Sequence, residues 1–361
     1  MQFRNITKFF GGVALGAALI LGTLAPSGAQ AQEKDSFKMA WSIYVGWMPW
    51  GYAADNGIIK KWADKYDITI EVTQFNDYIE SINQYTAGAY DAVTLTNMDL
   101  LAIPAVGGVD TSVLIMGDYS DGNDTIILKD KDKLEDIKGQ NVNLVELSVS
   151  HYLLARALET VDMSERDVTV VNTSDADMIS AWKTPDISAV VTWNPMSGQI
   201  LEEENAHNVF DSSQIPGEIM DMLAINTKVL EDNPKFAKAL VGAWYETMEL
   251  MSSDTDEGKA AREAMAKASG TDLEGYESQL KTTKMFYDPA EGVEFTKSAD
   301  AKEIMDNVRS FLFDHGLLGE GAPSPDVVGI EFPDGSILGD ENNVKFRFNT
   351  DYMQMAADGK L

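Results

Sequence analysis

The chain has 361 residues and carries 58 acidic against 28 basic side chains, a formal net charge of −30. Such a field disfavours nucleic acid and anionic membrane surfaces as partners, although adaptation to salty surroundings also explains it. The sequence has no Cys, which excludes disulfides and thiolate chemistry. Its three histidines (His151, His207 and His315) are widely separated, so we expect neither a metal site nor a cofactor.

Residues 1–31 have the pattern of a cleavable secretion signal. Arg4 and Lys8 precede the apolar stretch GGVALGAALILGTLA, and Ala29-Gln30-Ala31 forms a small-residue cleavage site. The stretch is short for a membrane span, and no Cys follows it to carry a lipid. The sequence therefore predicts a soluble protein exported to the periplasm.

The next residues alternate apolar runs with helical periods. FKMAWSIY, ITIEVTQF, DAVTLTN and TSVLIMGDYS are typical of strands, and helices are predicted near 52–66, in DYIESINQYTAGAY and from MDLLAIPAVG. This alternation is typical of an α/β architecture.

A second series follows. DTIILK, QNVNLVEL, VTVVNT and ISAVVTWNP are predicted strands, SVSHYLLARALETVDM is an amphipathic helix, and DMLAIN is a strand that returns to the first lobe. We expect lobe one over residues 32–121, lobe two over 122–222, and the rest of lobe one with a helical C-terminal region over 223–361. The two crossings are predicted near 120–125 and 220–224. The cleft then lies where the carboxyl ends of the strands face one another.

An aromatic cluster, WSIYVGWMPW, lies beside the first strand. Trp41, Tyr44 and Trp47 are candidates for the walls of a site, because aromatic rings hold flat or cationic ligands by stacking and cation–π contact. The alternative is that some of these rings are ordinary core residues.

Four segments, in this order, resemble the periplasmic substrate-binding proteins of ABC importers, of the nitrate/sulfonate/taurine type. They are G-W-x-P with a helix ending in D-N-G-I, YTAGAYDAVTLTN, HYLLARALE, and ISAVVTWNP. Within that branch, WSIYVGWMPW and VTWNP look most like the subgroup associated with urea carboxylase-type enzymes, some of which act on guanidine. The resemblance implies a two-lobe fold with hinge closure, an ABC permease as partner, a monomeric protein, and urea or guanidine as ligand.

Glu146 is a candidate anchor because it ends a strand where an anion would require backbone N–H groups and no competing charge. A carboxylate there disfavours sulfonate, taurine or nitrate and suits guanidinium, which is planar and rich in donors. Urea has the same shape but needs a donor for its oxygen, such as Asn97 or Asn194. The alternative is that Glu146 only complements a helix dipole.

Other strand ends and helix starts supply further candidates for ligand contact. These candidates are Asn97, Asp99, Asp118, Ser148, His151, Trp193 and Asn194. Asp99 is equally well explained as an acid at a helix N-terminus, and His151 as a partly buried polar residue.

Two other functions compete with solute import. The same two-lobe fold occurs in thiamine-pyrimidine synthases, but this sequence has no Cys, clustered His or phosphate loop, so we expect no enzyme. A sensory protein that presents its ligand to a receptor is the third reading. The sequence favours an exported binding protein for a small nitrogen-rich solute.

Overall fold

Two β-sheets organise the molecule, which is described here from a computed structural model covering residues 34–319 and 321–361. The predicted secretion signal lies outside these residues. The strands are β1 (Ser36–Ser42), β2 (Thr69–Phe75), β3 (Ala92–Thr96), β4 (Thr111–Ser120), β5 (Thr125–Lys129), β6 (Asn141–Leu144), β7 (Thr169–Asn172), β8 (Ala189–Thr192), β9 (Ala206–Asp211), β10 (Met220–Asn226), β11 (Thr283–Met285), β12 (Gly329–Glu331), β13 (Ile337–Leu338) and β14 (Val344–Phe348).

Helices cover the faces of both sheets. They are α1 (Met48–Asp55), α2 (Ile58–Lys65), α3 (Tyr78–Thr86), α4 (Asn97–Leu100), α5 (Val149–Glu159), α6 (Met178–Trp182), α7 (Met196–Leu201), α8 (Thr227–Asp232), α9 (Pro234–Ser252), α10 (Asp256–Ser269), α11 (Leu273–Leu280), α12 (Pro289–Thr296), α13 (Ala299–Asp314) and α14 (Asp351–Ala357). None of these helices, within the part of the chain that the structure describes, is long and apolar enough to cross a membrane.

The first sheet has the strand order β13-β12-β14-β4-β10-β3-β1-β2, with β11 beside β4. β1 is parallel to β2 and β3, whereas β10 is antiparallel to both of its neighbours. All five residues of β3 are buried, because helices cover both faces of the sheet's centre. Phe37 of β1 stacks on Phe236 of α9 with 4.4 Å between ring centroids, which joins this sheet to the longest helix.

The second sheet has the order β7-β6-β8-β5-β9. β6 is parallel to β7 and β8, and β5 is antiparallel to β8 and β9. Each sheet therefore combines parallel βαβ units with antiparallel strands, which are β10, β11 and β13 in the first sheet and β5 in the second. This two-lobe α/β arrangement is the predicted fold class.

Two short segments join the lobes. The chain passes from β4 to β5 between Ser120 and Thr125, and from β9 to β10 between Asp211 and Met220. The hydroxyl of Ser120 lies 2.6 Å from that of Ser212, so the two crossings are tied together by a hydrogen bond. The second crossing precedes the predicted range 220–224, because β10 already pairs in the first sheet from Met220.

The predicted helix over 52–66 is two helices, α1 and α2. The break occurs at Gly57, which has a φ of 76°. Because this left-handed conformation is accessible to Gly at little cost, the chain ends one helix and starts the next there. The aromatic segment lies before this break, in the turn between β1 and α1 and in α1 itself.

Candidate functional site

A small cavity lies between the lobes, beside the crossing strands. Its volume is about 10 Å³, on the order of the space that one water molecule needs. The lining residues come from both lobes and from the crossing between them: Tyr44, Trp47, Tyr78, Thr96, Asp124, Val149, Trp193 and Asp221. The lobes are thus closed around this point.

Four aromatic rings form a continuous wall around the cavity. The ring centroids of Tyr44 and Trp47 are 5.0 Å apart, those of Trp47 and Tyr78 are 5.8 Å apart, and those of Tyr78 and Trp193 are 5.6 Å apart. Tyr78 belongs to lobe one and Trp193 to lobe two, so the Tyr78–Trp193 contact crosses the cleft. Such a wall offers flat faces and excludes water from whatever lies inside it.

Four aspartates lie at or directly behind this wall: Asp99, Asp118, Asp124 and Asp221. Their residues are at most 3% exposed. Among the described residues, none of the ion pairs formed by Lys, Arg or His involves any of these four carboxylates. Burying a carboxylate without a cation costs free energy, and the group then tends to hold a proton.

Asp118 and Asp221 lie opposite each other on β4 and β10. The hydroxyl of Tyr44 donates to Asp118 Oδ1 at 2.6 Å, whereas the Oδ2 atoms of both aspartates receive no hydrogen bond from any described N–H or hydroxyl group. Burial raises the pKa of Asp118 to about 7. Burial, followed by the charge of Asp118, raises the pKa of Asp221 well above its ordinary value. Each of the two carboxyl groups therefore keeps its proton to a higher pH than an ordinary aspartate.

Asp124 precedes β5 in the first crossing. Its Oδ2 accepts a hydrogen bond from Ser120 Oγ at 2.6 Å, and burial raises its pKa to about 7. The site thus extends into the segment that joins the lobes.

Asp99 connects the two lobes. Its Oδ2 accepts hydrogen bonds from the Tyr78 hydroxyl at 2.6 Å, from Thr96 Oγ1 at 2.8 Å and from the backbone N–H of Val149 at 3.4 Å. Its Oδ1 receives none from the described residues. Val149 is the first residue of α5, so a carboxylate of lobe one lies at the N-terminus of a helix of lobe two. Burial raises the pKa of Asp99 to about 6, against the effect of these hydrogen bonds.

Five of the predicted site residues lie at the cavity or directly behind its wall. Tyr44, Trp47 and Trp193 line it. Asp118 and Asp99 are hydrogen-bonded to wall tyrosines.

Trp41 is buried but is not among the lining residues. A Cβ atom on Gly51 would come within 2.7 Å of the Trp41 ring, so this ring packs closely on α1. Trp41 therefore has the core role that the sequence left open.

The structure does not bring Glu146 to the cavity. Its side chain is exposed, and its backbone N–H donates to Asn172 Oδ1 at 3.0 Å. Leu147, the next residue, has a φ of 63°, and this left-handed turn lies between Glu146 and the start of α5. The carboxylate predicted at this helix N-terminus is instead supplied by Asp99 from the other lobe.

Ser148 and His151 form hydrogen bonds with the backbone at the start of α5. Ser148 Oγ accepts from the N–H of Ser150 at 3.2 Å and so caps the helix. His151 Nδ1 accepts from the N–H of Leu147 at 3.1 Å, and its Nε2 is hydrogen-bonded to Glu165. Neither is among the residues that line the cavity.

Asn97 and Asn194 hold backbone segments near the crossings. Asn97 Oδ1 accepts from the N–H of Met220 at 3.0 Å, which fixes the start of β10. Asn194 Oδ1 accepts from the N–H of Gly198 at 3.0 Å, and the carbonyl of Asn194 accepts from the N–H of Val45 across the cleft at 3.1 Å. The amide nitrogens that the sequence offered as donors to urea donate within the protein, from Asn97 to the Glu218 carbonyl at 3.1 Å and from Asn194 to Thr282 Oγ1 at 3.2 Å.

Sequence reasoning missed Asp124, Asp221 and Tyr78 as site residues. One signal was present for Asp221, because an aspartate within the apolar strand MDMLAI is costly unless it has a function. Nothing local marks Asp124. Within residues 34–319 and 321–361, no group of three or more His, Cys, Asp or Glu side chains is arranged to hold a metal ion.

The comparison with protein families matches residues 31–269 to the family described as NMT1-like. The chain belongs to the NMT1-like family. A curated relative is the taurine-binding periplasmic protein of Escherichia coli (strain K12), 24% identical over 143 residues, which are 38% of this chain and 44% of that protein. The chain thus matches less than half the length of this relative.

Solved structures share the fold of this NMT1-like protein. The alkanesulfonate-binding protein SsuA from Xanthomonas axonopodis pv. citri, bound to MOPS, is 15% identical with a TM-score of 0.66, covering 80% of this chain and 96% of that one. The nitrate-binding protein NrtA from Synechocystis PCC 6803 is 14% identical with a TM-score of 0.57, covering 89% and 98%. The predicted periplasmic-binding-protein fold is confirmed.

Proposed function

We propose that this NMT1-like protein is the solute-binding component of an ABC importer. It acts in the periplasm, closes its two lobes on a small molecule and delivers it, as a monomer, to an inner-membrane permease. The family match and the fold shared with proteins named as taurine-, alkanesulfonate- and nitrate-binding support this role. Hinge closure is a general mechanism of such two-lobe proteins.

The ligand is a small cation of the guanidinium class. The observation that carries this assignment is a group of buried carboxylates at or directly behind an aromatic wall, Asp118, Asp124 and Asp221, for which the described part of the chain supplies no cationic partner. An anion placed there would face like charges at close range. A cation supplies the missing partner, displaces the bound protons and gains contact with the ring faces.

The donors and acceptors that the site offers favour guanidinium over urea. The hydroxyls of Tyr44 and Tyr78 already donate to buried carboxylates, and the indole N–H of Trp193 donates to a backbone carbonyl at 3.1 Å. By contrast, Oδ2 of Asp118 and Oδ2 of Asp221 receive no hydrogen bond from the described N–H and hydroxyl groups. Once these carboxyl groups are ionised, the site offers acceptors more readily than donors. Guanidinium has only donors, whereas urea also needs a donor for its oxygen.

Isothermal titration of the mature protein with guanidinium, urea, taurine and nitrate tests this assignment. We expect guanidinium to bind more tightly than the other three. Asp221→Asn removes one carboxylate while keeping the shape of the side chain. It should weaken guanidinium binding at least about 100-fold, since the buried ion pair between the ligand and this carboxylate is lost. Glu146→Gln is the matched control, because that carboxylate is exposed, and it should leave the affinity unchanged.

The outcomes discriminate between the candidate functions. Tight binding of taurine or nitrate, with none of guanidinium, would reject the cation site and favour the ligands named for the relatives. Urea binding that survives Asp221→Asn would keep the importer role but remove the charge argument. Turnover of any of these compounds would support the enzyme alternative.

A further inference from the structure

The first three backbone N–H groups of α5 donate hydrogen bonds to acceptors within this chain. The N–H of Val149 donates to Asp99 Oδ2 at 3.4 Å, that of Ser150 donates to Ser148 Oγ at 3.2 Å, and that of His151 to the Ser148 carbonyl at 2.9 Å. The first N–H groups of a helix, together with its dipole, otherwise form a binding site for an anion.

Asp99 differs from the other two acceptors because it comes from the opposite lobe. It lies in α4, which follows β3 of lobe one, whereas α5 packs on the sheet of lobe two. Tyr78 and Thr96, which both line the cavity, hold the same carboxylate oxygen at 2.6 and 2.8 Å. The carboxylate is therefore fixed at the edge of the cavity, with 1% of the residue exposed.

The second oxygen of this carboxylate has no assigned role in the fold. Asp99 Oδ1 is buried and receives no hydrogen bond from the described N–H and hydroxyl groups. An aspartate used only to cap α4 does not need to be buried at a lobe–lobe contact, and Thr96 already serves as the N-cap of that helix. Its placement at α5 thus requires a further reason.

We propose that Asp99 is a specificity-determining residue that excludes anionic solutes by occupying, with its own carboxylate, the place of a bound anion at the N-terminus of α5. This inference rests on the proposed binding function and deepens it. When the lobes close, the carboxylate meets the helix terminus, so the favourable helix–anion contact forms within the protein. A sulfonate or nitrate would therefore meet the Asp99 carboxylate at this helix terminus instead of a free backbone N–H group.

The test is whether removal of this carboxylate gives the protein an affinity for anions. Wild type and Asp99→Ser are titrated with methanesulfonate and nitrate near pH 7, above the pKa of about 6 of Asp99, where its carboxylate is ionised, and no higher than the pKa of about 7 of Asp118 and Asp124. We expect methanesulfonate to bind Asp99→Ser at least about tenfold more tightly than wild type, because the N-terminal N–H of α5 is freed.

Asp175→Ser is the matched control. Asp175 is also a buried aspartate at the lobe–lobe contact, where it accepts from the N–H of Tyr78 at 3.0 Å, and its pKa is likewise raised by burial to about 6. It does not lie at α5. This variant should therefore gain no anion affinity, which separates the proposed role from a general loosening of the closed form.

A folded Asp99→Ser protein that binds methanesulfonate no better than wild type overturns the proposal. If this variant does not fold, Asp99→Asn removes the charge but keeps an oxygen that can accept from the N–H of Val149, so it must bind methanesulfonate more tightly than wild type, with a smaller gain than that expected for Asp99→Ser. The result is independent of the cation assignment. Failure of wild type to bind guanidinium rejects the proposed ligand, whereas failure of the Asp99 variants to gain anion binding rejects only this inference.

Discussion

Two groups of carboxylates in this protein have opposite environments. At the edge of lobe one, Asp110 forms a two-point ion pair with Arg347, with distances of 2.8 and 2.9 Å, and its pKa is lowered by the hydrogen bonds from that guanidinium despite partial burial. In the cleft, Asp118 and Asp221 have no cationic partner among the described residues, and burial raises their pKa values. The same residue type thus stabilises the fold in one place and destabilises the ligand-free protein in the other.

The difference indicates where the chain depends on a molecule from outside. Arg347 is a built-in guanidinium for Asp110, held in the planar, two-point geometry that carboxylates favour. The cleft aspartates lack such a partner. A free guanidinium would supply them with the two-point ion pair that Arg347 forms with Asp110. Four predictions test this parallel.

The largest expected effect is that of pH on guanidinium affinity. Protons and the ligand compete for the cleft carboxylates, whose pKa values include about 7 for Asp118 and for Asp124. If one proton is displaced, the affinity falls about tenfold per pH unit below that value, so it should be about 100-fold weaker near pH 5 than near pH 8. Titration calorimetry across this range measures it. A constant affinity would contradict the proton competition.

The next effect is a pair of opposite changes in stability. A raised carboxyl pKa in the folded state contributes stability at low pH that is lost as the pH rises, so Asp221→Asn should increase the free energy of unfolding of the ligand-free protein near pH 8. The lowered pKa of Asp110 has the reverse sign. Asp110→Asn should therefore destabilise by about 1 kcal/mol near pH 8.

Urea denaturation near pH 8 and near pH 4 measures both variants. Near pH 4 most of the gain from Asp221→Asn should vanish, because the folded wild-type carboxyl is then protonated and the unfolded one is only about half ionised. A destabilised Asp221→Asn protein near pH 8 would show that this carboxylate has a structural partner after all.

A smaller effect is expected from the aromatic wall. Trp193→Ala removes a ring face and the hydrogen bond from its indole N–H to the Ile43 carbonyl across the cleft. Guanidinium affinity should fall about tenfold, since one desolvated cation–π contact contributes about 1–2 kcal/mol. Trp193→Phe keeps a ring and should lose less. Equal losses in the two variants would assign the effect to the hydrogen bond.

The smallest effect concerns a third kind of carboxylate. Glu165 is shared by His151 of lobe two and His315 at the end of α13, and hydrogen bonds from both lower its pKa. The His315–Glu165 contact is partly exposed, so His315→Gln should weaken guanidinium only about twofold. A loss as large as that of Trp193→Ala would place this contact among the main determinants of closure.

The sequence predicted the fold well because its signals are local. Apolar runs and helical periods alternate along the chain, and they place the strands of both lobes. The aromatic part of the site was equally accessible, since Tyr44, Trp47 and Trp193 all follow strand ends. The helix over 52–66 was wrong in detail because a single Gly in the left-handed conformation divides it.

The charged part of the site depends on pairing between distant residues. Asp118 and Asp221 meet through the register of β4 and β10, and no local pattern encodes this register. Glu146 was predicted to end a strand in the cleft, but β6 ends at Leu144, and the left-handed turn at Leu147 separates Glu146 from the start of α5. Long-range register and one backbone angle therefore account for the main differences.

The hydrogen bond between Ser120 and Asp124 has a mechanical consequence. Asp124 lines the cavity, and its partner Ser120 also contacts Ser212 of the other crossing, so a carboxylate of the cleft belongs to the hinge itself. A cation bound at Asp124 would therefore lie next to the two segments that join the lobes. In the proposed closing motion, a ligand bound at Asp124 therefore contacts the same segments about which the lobes would turn.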